Sequence, residues 1–386
     1  MSVNATRMVW LALALAAGSA PARDGTGPAP SVVLLRAGRS PIGAPQEPSS
    51  EGLSSGEMGP RTTAALERGL AWLAARQAEQ RDGSFPKAGG RRYVPVPIAA
   101  LSALAFMAGG STPERGPHGR ELALAIDYLL QRADLRAASP TRGYIASEGD
   151  DLSRMHGHGF ATLALAEAYA VSPRTTRGRR TAEALEAAVA LIQKSQGLEG
   201  GWYYEPRAML DHENSVTVCL VQALRAARNA GVQVDARVIE RAVEYVGRCQ
   251  DAKGAFRYRL DLDKTSVALT AAGIATLNAG GRYSGGELDK ALELLWRQLA
   301  LRETDERALE PSAYPYYERL YLAQALWQAS DRRLFELWVK KERERVLAAQ
   351  LPDGSWIDEH FGSSYATAMN CLFLALPLRL LPIFQR

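Results

Sequence analysis

Cysteine is scarce in this chain of 386 residues, which contains only Cys219, Cys249 and Cys371. An odd count excludes a fully paired disulfide framework, and no two of the three have the Cys-x-x-Cys spacing of common zinc and redox motifs. Because a chain of this length can bury a large hydrophobic core, it does not need disulfide bonds for stability. The three cysteines are therefore expected to be buried free thiols.

Long apolar runs and basic stripes are also missing. No segment has eighteen uninterrupted apolar residues, so the sequence predicts no transmembrane helix. The formal net charge is only +4, and the arginine-rich run 174–180 has no interleaved aromatic residues. Nucleic-acid sites combine a basic surface with a recognisable motif. The sequence therefore predicts no nucleic-acid partner.

The beginning of the chain differs from the rest in composition. Arg7 precedes an apolar stretch, Met8 to Ala17, and Ala20-Pro21-Ala22 fits a signal-peptidase site. Residues 1–22 are therefore predicted to be a signal peptide that exports the protein to the periplasm or the extracellular space. Residues 23–60, which are rich in Pro, Gly and Ser, are predicted to be a flexible linker. The folded domain is predicted to span residues 61–386.

Four similar turns organise the folded domain: Gln77–Phe85, Gln196–Trp202, Gln250–Phe256 and Gln350–Trp356. Each begins with a Gln that ends a helical stretch, passes through a polar–Gly pair and reaches an aromatic residue. The Gly allows a tight turn, and the Gln amide is expected to bind carbonyls at the end of its own helix. The spacing predicts two degenerate copies, one after Gln131 and one after Gln298. The chain therefore contains six repeats.

Each turn lies between two kinds of helical stretch. An amphipathic stretch such as 235–249 precedes the turn, and a uniformly apolar stretch such as 158–170 follows it. Six outer helices would therefore alternate with six inner ones. An open array would need end repeats with a polar outer face, and none is present. The sequence predicts an all-α fold, a closed (α/α)6 toroid.

The turns resemble the repeats of the terpenoid cyclase and protein prenyltransferase superfamily, whose members include the squalene cyclases. The resemblance covers residues 61–386. The segments 155–169, 211–231 and 381–386 are similar to an exported bacterial branch of that superfamily. By analogy of fold, the resemblance implies an apolar, isoprenoid-like small-molecule ligand.

In such a ring all inner helices begin at the same end, called the mouth below. Polar residues before those helices should collect there, above a funnel lined by Ala and Leu, and tyrosines at the mouth suit an apolar ligand with a polar end. The positive ends of the helices would favour an anionic group such as a diphosphate. The expected pocket residues are Tyr93, His156, His158, Asp211, His212, Asp261, Tyr316, Glu318, His360 and Tyr365.

Of two functional motifs of the superfamily, one is altered in this sequence and the other is absent. Asp261–Ser266, DLDKTS, resembles the D-x-D-D-T-A motif with which squalene cyclases protonate a polyene, and Asp263 takes the place of the proton donor. Lys264 departs from the motif, and a cation lowers the pKa of a neighbouring carboxyl group. The Asp-x-Cys zinc ligands of the prenyltransferases are absent. A zinc site would therefore be a different one, with ligands from His156, His158, Asp211 and His212.

Two further classes of function stay open. The same ring architecture carries glycosidases and polysaccharide lyases, which use two carboxyl groups roughly 5–9.5 Å apart. Asp151, Glu213, Asp263 and Glu318 could face one another across the mouth, and the first three are the candidate catalytic residues. The other possibility is a module that binds a protein partner without catalysis.

Overall fold

The computed structural model describes residues 58–147, 154–304 and 312–385. Twelve α-helices lie within these residues, and odd-numbered and even-numbered helices form the outer and inner layers, respectively. They are α1 Pro60–Gln77, α2 Pro95–Ala108, α3 Gly119–Arg132, α4 Arg154–Val171, α5 Thr176–Lys194, α6 Asn214–Asn229, α7 Ala236–Arg248, α8 Val267–Ala279, α9 Gly286–Thr304, α10 Pro315–Trp327, α11 Arg332–Ala348 and α12 Ser363–Ala375.

The inner layer is a closed ring. Each inner helix contacts the next from α2 to α12, and α12 returns to contact α2. The first outer helix, α1, packs against both α12 and α11, which closes the outer layer at the same place. The predicted all-α (α/α)6 toroid is confirmed.

The two layers follow the predicted hydrophobic pattern. In the outer helix α7, Ile239, Ala242 and Val243 are buried, whereas Arg237 and Glu240 are exposed. In the inner helix α8 all thirteen residues are buried. A helix with one apolar face covers a core, and a helix that is apolar on all sides is enclosed.

The Gln of each well-preserved turn ties that turn to the next outer helix. The Gln196 Nε2 donates hydrogen bonds to the carbonyl oxygens of Gly200 (2.7 Å) and Val238 (2.8 Å). Gln77, Gln250 and Gln350 make the same pair of bonds. The expectation that the amide would bind its own helix end is therefore wrong, because its acceptors lie in the turn and in the following repeat.

Glycine is required where the turns meet the next outer helix. Five turn glycines have φ between 84° and 102°, a range that other residues rarely adopt. A Cβ atom at any of them would lie 2.0–2.7 Å from a carbonyl oxygen of that helix. They are Gly83, Gly143, Gly200, Gly254 and Gly354. Since Gly143 belongs to the degenerate copy after Gln131, that predicted copy is confirmed.

Two features were not predicted. A two-stranded antiparallel hairpin, β1 Arg257–Arg259 and β2 Leu262–Thr265, stands between α7 and α8. At the end of the ring opposite the mouth, two 3₁₀ helices, Leu376–Leu378 and Pro382–Phe384, fold against the inner helices. There the backbone N–H of Ile383 donates to the Glu167 Oε1 of α4 (3.1 Å).

The first part of the chain is not included in this description. The predicted signal peptide 1–22 and most of the predicted linker 23–60 lie outside the described residues, so both stay predictions. Within the described ranges no helix is long and apolar enough to cross a membrane. The three cysteines are buried and free, as predicted.

Candidate functional site

Helices α6 and α10 contact each other at three successive levels along the axis of the ring. The Tyr317 hydroxyl reaches the Ser215 carbonyl oxygen at 3.5 Å, and the Tyr321 hydroxyl lies 3.4 Å from the Cys219 sulfur. One turn further, Gln222 donates to Gln324 at 2.6 Å. Because α8 stands between α6 and α10 in the ring, these contacts bridge next-nearest inner helices. Polar and aromatic side chains therefore face the axis here, beside the Ala and Leu that were predicted to line the funnel.

Above these contacts lies a cluster of aromatic and polar side chains, here called the mouth chamber. It is formed by His156 of α4, Ser215 of α6, Tyr317 of α10, Tyr204 of the preceding loop, Tyr258 of β1 and, beneath them, Glu213. The His156 side chain keeps 17% of its surface accessible although protein surrounds it. Ser215, Tyr317, Tyr204 and Tyr258 are also only half-buried. Solvent therefore still reaches part of each of these side chains.

Glu213 forms the floor of the mouth chamber and is fully buried. Its carboxyl group caps α6, accepting from the backbone N–H groups of Ser215 (3.0 Å) and Val216 (2.6 Å) and from the Ser215 hydroxyl (2.6 Å). Burial raises the pKa of Glu213 to about 7, although these hydrogen bonds act in the opposite direction. The carboxyl group can therefore exchange a proton near neutral pH.

His156 continues this polar chain. Its Nε2 lies 2.9 Å from the Ser215 Oγ and 3.9 Å from the Glu213 Oε1. Since the Ser215 hydroxyl donates to Glu213, the His156 Nε2 carries the proton that Ser215 accepts. Burial lowers the pKa of His156 to about 4, so the imidazole is neutral near pH 7. Both donors of this chain are therefore used within it, and the His156 Nδ1 is left as an acceptor without a partner among the described residues.

Tyrosines make up most of the remaining wall. The Tyr204 and Tyr258 hydroxyls are hydrogen-bonded to each other, and the Tyr204 ring lies 5.9 Å from the His156 ring. Across the chamber, the Tyr317 ring packs on Tyr321 at 4.5 Å. Burial raises the pKa of all four phenols, so they stay protonated.

The four clustered histidines do not converge on one cavity. Helix α4 begins at Arg154, four residues earlier than predicted, and so includes both His156 and His158. Residues two apart on a helix point about 200° apart. Only His156 therefore faces the chamber, while the His158 Nδ1 accepts from the Ile145 N–H (3.2 Å).

The predicted zinc ligands are not brought to a common point either. The His212 Nε2 bonds the Met209 carbonyl oxygen (3.0 Å), and its ring packs edge-on against Tyr245. Asp211 is half-exposed and pairs with Arg259 at 2.8 Å. With His158 also turned away, the set His156, His158, Asp211 and His212 does not fit a metal ion. No group of three or more metal-ligating residues is found among the residues that the structure describes.

The residues of the squalene cyclase-like motif lie on the hairpin, outside the chamber. Asp261 binds Arg259, and the Asp263 Oδ1 lies 3.2 Å from the Arg257 Nε. The Asp263 side chain is 87% exposed. Neither pairing with Lys264 nor capping of α8 by Asp263 is observed, since the cap is Ser266. An exposed, arginine-paired carboxylate does not fit a general acid that protonates an alkene.

Other predicted pocket residues form a rim around the mouth. Tyr93 and Tyr316 donate to the backbone carbonyls of Phe85 and Ile357. Tyr365 packs against Tyr316, and His360 lies beside Tyr314. Glu318 turns away from the chamber to form an ion pair with Arg302 of α9. Asp151, the remaining catalytic candidate, lies outside the described residues.

Sequence reasoning missed Tyr204, Ser215 and Tyr258. Two of them carried a usable signal, because Tyr204 and Tyr258 stand two residues after the turn aromatics Trp202 and Phe256. Equivalent positions in neighbouring repeats lie side by side, and here their hydroxyls meet. No comparable signal marks Ser215.

No family model matches the chain, and no curated protein does. Three solved structures match almost over their whole length: an α-1,6-mannanase of Salegentibacter sp., the type II terpene cyclase MstE of Scytonema, and a D-mannose isomerase. The TM-scores are 0.58, 0.53 and 0.55, with identities of 10%, 13% and 13%. The matches cover 83%, 84% and 84% of this chain, and 99% of each of the others. At such identities the likeness concerns the fold alone. This chain therefore has an (α/α)6 toroid fold, which it shares with a terpene cyclase and with carbohydrate-active proteins.

Proposed function

We propose that the chain binds a small apolar, isoprenoid-like ligand with a polar end in the mouth chamber. The observation that carries this proposal is the composition of the chamber wall. Tyr204, Tyr258 and Tyr317 surround the polar pair of His156 and Ser215, and all five keep accessible surface inside the ring. Small-molecule sites are typically concave and mostly apolar, with a few convergent polar groups.

The tyrosines and the polar pair would have separate roles. Tyrosine rings provide apolar area for a hydrocarbon, and their hydroxyls can hydrogen-bond a polar substituent. The His156 Nδ1 is buried and has no hydrogen-bond partner among the described residues, so a ligand donor that reached it would satisfy this acceptor. We propose that the ligand body lies against the tyrosines and that its end meets His156 and Ser215.

Proton-driven cyclisation finds no support in the geometry, because Asp263 is exposed on the hairpin. A carbohydrate ligand is the second candidate. The pKa of Glu213, about 7, suits a general acid. Its partner in a carboxyl pair would have to be found elsewhere, because Asp211 and Asp261 are bound to Arg259 at the rim.

Native mass spectrometry of the purified protein, with metal analysis of the same sample, tests the proposal first. A bound lipid is the expected result. A bound oligosaccharide would support the second candidate, and a stably bound protein would replace both with the interaction module. Stoichiometric zinc would contradict the placement of the histidines described above.

Binding assays with variants test the site itself. We expect geranylgeraniol to bind and α-1,6-mannotriose not to bind. Tyr317→Ala should weaken binding of geranylgeraniol roughly tenfold, about 1.4 kcal/mol. The matched control is Tyr314→Ala at the exposed rim, which should change the affinity less than about twofold. Equal effects of the two variants would show that the ligand does not occupy the mouth chamber.

Export by residues 1–22 is also proposed. It rests on the basic residue, apolar stretch and cleavage site near the start of the chain. N-terminal sequencing of the protein from a cell that expresses the full chain tests it. Cleavage after Ala22 is expected, and an intact N-terminus on cytoplasmic protein would reject the proposal.

A further inference from the structure

Charges of both signs surround the mouth chamber, but the arginines are paired. Glu213 is the carboxyl group of its floor, and His156 is neutral near pH 7 because burial lowers its pKa to about 4. The Arg259 guanidinium, which acts electrostatically on Glu213, is bound by Asp211 (2.8 Å) and Asp261 (2.7 Å).

Two further arginines of the same elements are also paired. Arg154 of α4 binds Glu205 (2.9 Å), and Arg257 of β1 binds Asp263 (3.2 Å). Lys264 of β2 is exposed to solvent.

Four of the six inner helices have a reduced number of free donors for an anion at their N-termini. Helices α2 and α10 begin with Pro95 and Pro315, which have no backbone N–H to donate. The first N–H groups of α6 are already bound by Glu213, and Ser266 caps α8. An anion binds at a helix start through free N–H groups and the helix dipole. The donors expected to hold a diphosphate are thus partly used at α6 and α8, and α2 and α10 each lack the first of them.

The walls themselves attract positive charge. The face of an aromatic ring carries partial negative charge, and tyrosine faces bind ammonium groups at short range. Tyr204 and Tyr317 stand on opposite sides of the floor formed by Glu213, and both phenols are near enough to that carboxylate for it to raise their pKa. Burial makes the larger contribution to each shift. Tyrosine faces above a buried carboxylate form a site of negative potential.

We infer that the polar end taken by the mouth chamber is cationic, an alkylammonium group rather than a phosphate. This inference rests on the proposed function, since it assumes that an apolar ligand enters the chamber. An ammonium group would lie between the tyrosine faces and add a full positive charge to the hydrogen bonds that Glu213 already accepts from α6. A phosphate in the same place would be repelled by the carboxylate.

The test compares three ligands with the same ten-carbon chain: decyltrimethylammonium, decyl phosphate and decanol. Calorimetric titration below their micellar concentrations is done at pH 8, where Glu213 is ionised because its pKa is about 7. The ammonium ligand is expected to bind at least tenfold more tightly than the phosphate, with the alcohol between them. Tighter binding of the phosphate, or equal binding of all three, would overturn the inference but leave the ligand site intact. If none of the three binds, the proposed function fails with it.

Variants identify the source of the selectivity. Glu213→Gln should remove most of the preference for ammonium, whereas Glu167→Gln should keep it. Glu167 is the matched control, because it is also buried, with a pKa raised to about 7, but lies at the far end of α4 against Ile383. If Glu213→Gln does not fold, Tyr317→Leu takes its place, since it removes the ring face and keeps an apolar side chain. Tyr317→Leu should weaken ammonium binding several-fold and alcohol binding less. An equal loss for both ligands would contradict the cation site.

Discussion

Trp356 is the best position at which to test the packing of the repeat. The side chain is 1% exposed, and its indole N–H donates to the Val346 carbonyl oxygen of α11 (2.8 Å). The ring also reaches α1, where a Cβ atom added to Gly69 would lie 3.0 Å from it. Trp356→Ala would leave a cavity where α1, α11 and α12 meet. Large-to-small changes of buried Phe or Trp cost roughly 3–5 kcal/mol.

That loss is a large share of the total, because domains are typically stable by about 5–15 kcal/mol. Urea unfolding followed by far-ultraviolet circular dichroism measures it as a shift of the midpoint. The control is Trp72→Ala, since Trp72 is half-buried at the same seam and donates to Asp353 (3.0 Å). We expect Trp72→Ala to cost about 1 kcal/mol. If Trp356→Ala cost less than about 1 kcal/mol, or no more than the control, the turn aromatic would not be a core residue.

Gly143→Ala should destabilise by at least about 2 kcal/mol more than Gly231→Ala, because both residues have positive φ but only at Gly143 would the new Cβ lie 2.0 Å from a backbone oxygen. Urea midpoints measure this difference, and equal losses would mean that the turn yields to the clash. Stability should also fall as pH rises from about 4.5 through 7, because burial raises the pKa values of Glu167 and Glu213 to about 7. The folded state then binds more protons than the unfolded state in this window, and each group costs up to roughly 3 kcal/mol above pH 7. Glu167→Gln should flatten this slope in thermal melts at several pH values, and an unchanged slope would contradict its buried position.

The fold could be predicted because its signals are local and repeated. Each turn combines a Gln, a Gly and an aromatic residue within a short segment, and the spacing of these turns was enough to identify the degenerate copy that contains Gly143. The hairpin around Tyr258 was missed because the motif that includes Asp263 resembled the start of an inner helix. From Arg257 to Thr265 the sequence mostly alternates polar and apolar residues, which is typical of a strand because successive side chains point to opposite faces. This alternation was the signal that a hairpin, and not a helix, begins here.

The site could be predicted only in part, because small shifts of backbone position decide which side chain faces inward. The early start of α4 turned His158 away while His156 stayed in the chamber. The extended backbone at Glu213 (φ −145°, ψ 152°) directs that residue inward and leaves Asp211 outside. Pairs such as Ser215 and Tyr317 meet only across the closed ring, and no local pattern reveals a contact of that kind.

The closed ring also fixes the order in which the molecule can be completed. Gln350 donates to the Ala65 carbonyl oxygen across 285 residues of chain, and α1 and α2 both pack against α12. During synthesis α1 is therefore not fully covered until α12 has been made. At usual rates of synthesis the interval is roughly 15–60 s. During that time the buried face of α1, with Leu66, Leu70 and Leu73, has no partner on the α12 side. A partly made chain therefore cannot close the ring, and the contacts between α1 and α12 can form only after the last helix has been synthesised.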